Sequence, residues 1–69
     1  MNEEALYNED ELLARAIALF TRTGEVPLPS NCSEVVEREG KVYVELRNVN
    51  GPLATYRWHP KSDRLRRVQ

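Results

Sequence analysis

The hydrophobic period changes once along this chain, and that change limits the folds open to it. From Asn8 to Gly24 apolar residues recur every three or four positions, which is the spacing of one helix face. After Ser33 they alternate, as they do in strands with one buried side. One helix followed by short strands predicts an α+β domain. With 69 residues the chain is long enough for one such domain, residues 1–69, and too short for two.

The helix is predicted over residues 9–23 because both of its ends carry signals. Asn8 is a favourable N-cap, and Glu11 three residues later completes a capping box. Gly24 favours the left-handed conformation that ends many helices, and Pro27 prevents the helix from resuming. We expect one face to be buried, with Leu13, Ala16, Ile17 and Phe20 along its centre and Leu12 and Leu19 beside them.

Turn residues divide the second part of the chain into short antiparallel strands. The predicted strands cover residues 34–39, 41–48, 53–59 and 65–68, and the first and last are the shortest. Turns are expected at Gly40, at Asn50-Gly51 and at residues 60–63. The predicted fold is therefore one N-terminal helix packed on one face of a three- or four-stranded antiparallel meander.

The side-chain period also predicts the register of the central hairpin. A two-residue turn at Asn50-Gly51 would place Val44 opposite Arg57 and mix charge into the apolar stripe. A three-residue loop over residues 49–51, with Gly51 in the left-handed conformation, instead places Val44 opposite Tyr56. In that register every large apolar residue faces the helix, and the remaining pairs are Val42 with Trp58 and Leu46 with Ala54.

The opposite face of the sheet is the predicted functional surface, since one helix covers only one side of a sheet. This face displays Glu45 and Thr55 beside Tyr43, Arg47 and Arg57. Tyrosine and arginine are enriched at protein interfaces. We therefore expect a non-enzymatic binding module that recognises a protein partner, with a second copy of the chain among the candidates, through Tyr43, Arg47 and Arg57.

Charge is divided unevenly along the chain and supports an alternative function. Residues 1–34 carry seven acidic and two basic side chains, a net charge of -5, whereas residues 35–69 carry eight basic and four acidic ones, a net charge of +4. A basic C-terminal segment on an open sheet is typical of single-stranded nucleic-acid binding, although the isoelectric point of about 5.8 opposes it. These arginines could equally pair with the acidic helix. The predicted basic patch consists of Lys61, Arg64, Arg66 and Arg67.

The sequence offers little material for catalysis or metal binding. It contains one cysteine, Cys32, and one histidine, His59, whose order and spacing match no catalytic signature. These two residues cannot supply the four ligands of a structural zinc site. The glycines are isolated, so no phosphate-binding loop is predicted. We expect no enzyme activity, no cofactor and no metal.

The N-terminal sequence indicates a cytoplasmic protein. Acidic residues follow Met1 where an export signal would carry basic ones. The longest apolar stretch, Leu12 to Phe20, is interrupted by Arg15 and is shorter than the roughly 20 residues needed to span a bilayer. No membrane partner is expected.

Residues 40–57, which read GKVYVELRNVNGPLATYR, follow a helix that ends in Gly24 and a segment of alternating prolines up to Pro29. This combination resembles short uncharacterised bacterial proteins of a cyanobacterial type. The resemblance implies a shared small α+β fold and brings no activity, cofactor or site residue with it.

Overall fold

A computed structural model describes residues 7–24 and 33–69 of the chain. One helix, α1 (Glu9–Arg22), precedes four strands, β1 (Glu34–Arg38), β2 (Lys41–Asn48), β3 (Gly51–His59) and β4 (Arg64–Arg67). The strands form one antiparallel sheet in the order β1-β2-β3-β4, and α1 packs against one face of it. The predicted fold is confirmed, with four strands in the meander. Predictions that concern Pro27, Pro29 and Cys32 lie outside the described residues.

The ends of α1 follow from the residues that cap it. The Asn8 side-chain oxygen accepts a hydrogen bond from the Glu11 backbone N–H at 3.0 Å, which makes Asn8 the N-cap. At the other end, the Thr23 hydroxyl donates to the Phe20 carbonyl at 2.7 Å, and Gly24 follows with φ +76°. The helix therefore ends at Arg22, one residue before the predicted end.

The buried stripe of α1 is rotated from the predicted one. Leu12, Ala16 and Phe20 are buried, whereas Leu13 and Ile17 are only partly buried at the edge of the core. The expectation that Leu13 and Ile17 lie at the centre is wrong. Apolar residues cover a wide arc of this helix. Their spacing therefore predicts which side of the helix is buried, but it does not predict which residues lie at the centre of that side.

The central register is as predicted, but its loop is different. Val44 pairs with Tyr56, Val42 with Trp58 and Leu46 with Ala54, and all six side chains are buried. The loop is shorter than predicted because Asn48 pairs with Gly51. A bulge after Leu46 shifts the pairing so that Arg47 faces Pro52. Core packing thus sets the register, and the bulge takes up the extra residue near the turn.

The strand ends differ from the predicted ones for local reasons. Pairing beyond the bulge lets β3 begin at Gly51 instead of residue 53. β1 ends at Arg38 because Glu39 and Gly40, with φ of +52° and +75°, form the turn to β2. β4 begins and ends one residue earlier than predicted.

α1 lies over the part of the sheet formed by β1, β2 and β3. In the part of the chain that the structure describes, no helix has the length and apolar character needed to cross a membrane. The side of the sheet opposite α1 is called the open face below.

Candidate interaction face of the sheet

Residues of three strands form a continuous row across the open face. Tyr43 of β2 pairs with Arg57 of β3, which in turn pairs with Arg66 of β4. Their neighbours along each strand face α1, so this row points away from the helix. Tyr43 and Arg57 are half-buried, and Arg66 is exposed. The row places a phenol and two guanidinium groups side by side.

The β1–β2 half of the open face carries arginines whose charge is compensated. Glu45, only 7% exposed, accepts a hydrogen bond from Arg38 at 2.7 Å and a second one from Arg47. Arg47 also contacts the Glu34 carboxylate at 3.1 Å. These four residues, called the ionic cluster below, have a formal net charge of zero. Arg47 was predicted to belong to the interaction face. In the structure its guanidinium group forms ion pairs with carboxylates of the same chain.

The β3–β4 half of the open face carries cations without carboxylates beside them. Arg57 pairs with Arg66, and His59 pairs with Arg64, so basic groups stand directly opposite one another on neighbouring strands. These four residues are called the basic half-face below. Among the described residues, no ion pair involves Arg57, Arg64 or Arg66. The Nε atom of Arg57 is buried and has no hydrogen-bond partner in the same set of residues.

The residues of the predicted basic patch lie in different places. Arg67 pairs with Tyr56 on the helix side, where its guanidinium carbon lies 5.6 Å from the centre of the Phe20 ring. Lys61 is exposed in the β3–β4 turn. Only Arg64 and Arg66 therefore share the open face. Alternation counted from Leu65, which packs against the core, would have separated these arginines from the sequence alone.

One interpretation of the sequence was that the arginines of β4 pair with the acidic residues of α1. The structure does not show such pairs for Arg64 or Arg66 among the described residues. The ion pair that joins the helix to the β3–β4 turn has the reverse polarity, because Arg15 contacts Asp63 at 2.9 Å. The acidic first turn of α1, residues 9–11, is exposed. Within residues 7–24 and 33–69 it forms no ion pair with Arg64 or Arg66.

Asp63 fixes the turn that leads into β4. The Trp58 indole N–H and an Arg15 N–H each donate to the same Asp63 carboxylate oxygen at 2.9 Å. The hydrogen bond from Trp58, together with the hydrogen bond and charge of Arg15, lowers the pKa of Asp63 below its ordinary value of 3.8. Trp58 is buried on the helix side, as the predicted register requires, and its ring centre lies 5.5 Å from that of Tyr7.

No metal-binding arrangement is visible in the described part of the chain. Three or more His, Cys, Asp or Glu side chains do not come together there in a group that could hold a metal ion. His59 lies on the open face beside Arg64, and the position of Cys32 relative to it lies outside the described residues. The charged groups that the β3–β4 half of the open face offers are the guanidinium groups of Arg57, Arg64 and Arg66.

Comparisons with known proteins return no relative. No protein-family model, curated protein or solved structure matches the chain significantly. The functional assignment therefore depends on the surface of this chain alone.

Proposed function

We propose that this protein is a non-enzymatic binding module that recognises an acidic protein segment through its open face, with Tyr43, Arg57 and Arg66 at the centre of contact. The observation that carries the proposal is the difference between the two halves of that face. Arg38 and Arg47 have carboxylate partners, whereas Arg57 and Arg66 have none among the described residues. An acidic partner would supply the missing carboxylates.

The arrangement of the basic half-face costs folding stability, which a bound anion would offset. Like charges directly opposite each other on neighbouring strands destabilise a sheet, by a few tenths of a kcal/mol to about 1 kcal/mol per pair. A buried donor without a partner, such as Arg57 Nε, adds a penalty of about 1–3 kcal/mol. Carboxylates form charge-assisted and often bidentate hydrogen bonds with guanidinium groups. Binding of carboxylates would therefore reduce the repulsion between Arg57 and Arg66.

The surroundings of Tyr43 favour a protein partner over a nucleic acid. Tyr43 is the aromatic residue that the described strands place on the open face, whereas single-strand binders use several stacking rings. The carboxylates of Glu34 and Glu45 lie on the same face in the neighbouring row. The whole chain has a net charge of -1, which does not attract a long polyanion. A short acidic segment needs to contact only the basic half-face.

A second copy of this chain offers one such segment. The acidic side chains of residues 9–11 are exposed in the first turn of α1. Because α1 lies on the side of the sheet opposite the basic half-face, these acids cannot reach Arg57 or Arg66 of their own molecule. An association of this type would join unlike surfaces of neighbouring copies, head to tail.

A labelled peptide rich in Glu and Asp tests the proposal. We expect Arg57→Gln/Arg66→Gln to weaken peptide binding at least tenfold in fluorescence anisotropy, because two charge-assisted hydrogen-bonding groups are lost. The matched control is Arg67→Gln, which removes the same kind of charge from β4 on the helix side of the sheet. The proposal fails if the wild-type protein does not bind the peptide, or if Arg67→Gln weakens binding as much as the double variant.

Light scattering over a concentration series separates self-association from recognition of another protein. A wild-type protein that grows in mass with concentration, and does so less at high salt, would identify a second copy as a partner. A monomer at every concentration that still binds the acidic peptide would exclude the second copy and leave recognition of another protein as the function.

Single-stranded nucleic-acid binding is a second candidate, favoured by the spacing of the cations. Arg57 with Arg66, and His59 with Arg64, form two basic rungs that lie two residues apart along the strands, about 6.7 Å. Such repeated cations beside Tyr43 could follow a phosphate backbone while one base stacks. A titration of labelled oligo-dT at several salt concentrations should then give a log–log slope near -0.7 per phosphate contact, or about -3 for four contacts. Absence of binding at low salt would exclude this candidate.

A further inference from the structure

A groove lies between α1 and the start of β4, and one member of the basic half-face, Arg64, is among the residues that line it. α1 makes most of its contacts with β1, β2 and β3, and the groove separates it from the start of β4. The groove has a volume of about 330 Å³. Its lining residues are Arg15, Ala18, Leu19, Arg22, Asp63, Arg64 and Leu65.

Three of the residues that line this groove are apolar. Leu19 and Leu65 are half-buried, and each packs against the edge of the hydrophobic core. Ala18 is exposed on the helix beside them, and its small side chain leaves the space open. Apolar surface of this kind, walled on two sides, favours the tail of an apolar ligand.

One end of the groove is held in place by hydrogen bonds. Arg15 donates to the Asp63 carboxylate at 2.9 Å and to the Asp63 backbone carbonyl at 2.7 Å. Trp58, which lies beneath, donates to the same carboxylate. A wall that is already ordered does not have to lose conformational freedom when a ligand binds. These contacts also mean that the charges of Arg15 and Asp63 compensate each other.

The remaining charge of the groove is positive. Arg22 lies in the last turn of α1 and Arg64 at the start of β4, and neither forms an ion pair with any residue that the structure describes. The C-terminal end of a helix carries a partial negative charge that disfavours anions, so an anion bound here would depend on the arginines. A ligand with a cationic head would be repelled by Arg22, and the one carboxylate of the groove, Asp63, is already paired with Arg15.

We propose that this groove binds a small amphipathic carboxylate, with its apolar tail against Leu19 and Leu65 and its carboxylate at Arg22. The volume lies at the lower end of the range for ligand pockets, about 300–1,000 Å³, which indicates a medium-length acyl or aryl carboxylate. The ligand needs an apolar tail to cover the two leucines and an anionic head to pair with the arginine. The groove shares Arg64 with the basic half-face, but it does not include Tyr43, Arg57 or Arg66, on which the function proposed for the open face depends.

Octanoate is a suitable probe, and Trp58 is a built-in reporter because it is the single tryptophan of the chain and is bonded to Asp63. We expect octanoate to bind saturably, with a change in Trp58 emission and shifts of the Leu19 and Leu65 amide signals in ¹H–¹⁵N spectra. Arg22→Gln should weaken binding about three- to tenfold, as expected for the loss of one charge-assisted hydrogen bond at a partly exposed site. Lys41→Gln, the control at the start of β2, should bind octanoate as the wild-type protein does.

A second variant tests the proposal even if the charge of Arg22 contributes less to octanoate binding than expected. Ala18→Leu fills the groove from an exposed helix position, where leucine is a good helix former, so the protein should keep its melting temperature. It should lose octanoate binding. The proposal is overturned if octanoate leaves Trp58 and the two amide signals unchanged, if octylammonium binds equally well, or if both Arg22→Gln and Ala18→Leu bind octanoate like the wild-type protein.

Discussion

Both halves of the open face carry arginines, but only the β1–β2 half supplies carboxylates for them. In the ionic cluster, Arg38 and Arg47 share the buried Glu45 carboxylate. In the basic half-face, Arg57 and Arg66 stand opposite each other, and no described carboxylate contacts either of them. The same residue type therefore holds the sheet together in one half and is available to an external anion in the other. Side-chain neighbours across the strands, not residue type, distinguish the two roles.

The largest expected effect comes from removing the shared carboxylate of the ionic cluster. Glu45→Gln should lower the free energy of unfolding by about 2 kcal/mol, because it removes the buried charge that contacts both Arg38 and Arg47. Urea denaturation measures the change. Arg57→Gln, in the other half of the face, should by contrast alter the stability by less than about 0.5 kcal/mol or increase it. An equal loss in both variants would contradict the distinction between the halves.

A smaller loss is expected at the turn that places the basic half-face. Asp63→Asn keeps the shape of the side chain but removes the charge that contacts Arg15 and accepts from Trp58. Because the pKa of Asp63 is lowered in the folded protein, its contribution to stability is present above the ordinary pKa of 3.8 and is lost as the pH falls through the lowered value. Thermal unfolding of wild-type and variant proteins should therefore differ at about pH 6 and converge as the pH falls below the ordinary pKa of 3.8. A constant difference over this range would exclude the ionised carboxylate as the cause.

The smallest effect sharpens the comparison by giving the basic half-face a carboxylate of its own. Arg66→Glu places an acid directly opposite Arg57 and replaces repulsion with attraction. The expected gain in stability is about 0.5 kcal/mol, measured by urea denaturation, with loss of acidic-peptide binding. Arg66→Gln is the matched control and should gain about half as much. A loss of stability in Arg66→Glu would show that Arg57 and Arg66 do not repel each other.

Much of the fold was predictable because the apolar residues of β2 and β3 alternate without ambiguity. Only one register of this hairpin buries Val42, Val44 and Leu46 against Tyr56 and Trp58 together, and the structure has that register. The midline of the helix was not predictable, since its apolar arc is wider than the contact with the sheet.

The ionic cluster was not predictable because β1 contains two adjacent valines. Val35 and Val36 point to opposite faces of the sheet, and the side-chain period cannot say which of them faces α1. The choice decides whether Arg38 lies on the same face as Glu45. In the structure Val36 pairs with Tyr43, which brings Arg38 to the open face. Leu65 gives β4 a single apolar residue. The arginines around it were predicted to form one patch because they are close along the chain, and this prediction joined Arg67 to side chains on the other face.

The tip of the β2–β3 hairpin is where the chain can be extended most safely. Val49 there is 87% exposed, and the bulge after Leu46 separates the tip from the core pairs. Successive turns of an antiparallel meander alternate between its ends, so this tip is remote from the groove at Asp63 and from the rung formed by His59 and Arg64. A fluorophore, tether or whole fused domain inserted at residues 49–50 would leave both proposed binding surfaces free, and it offers a handle for immobilising the molecule in one orientation.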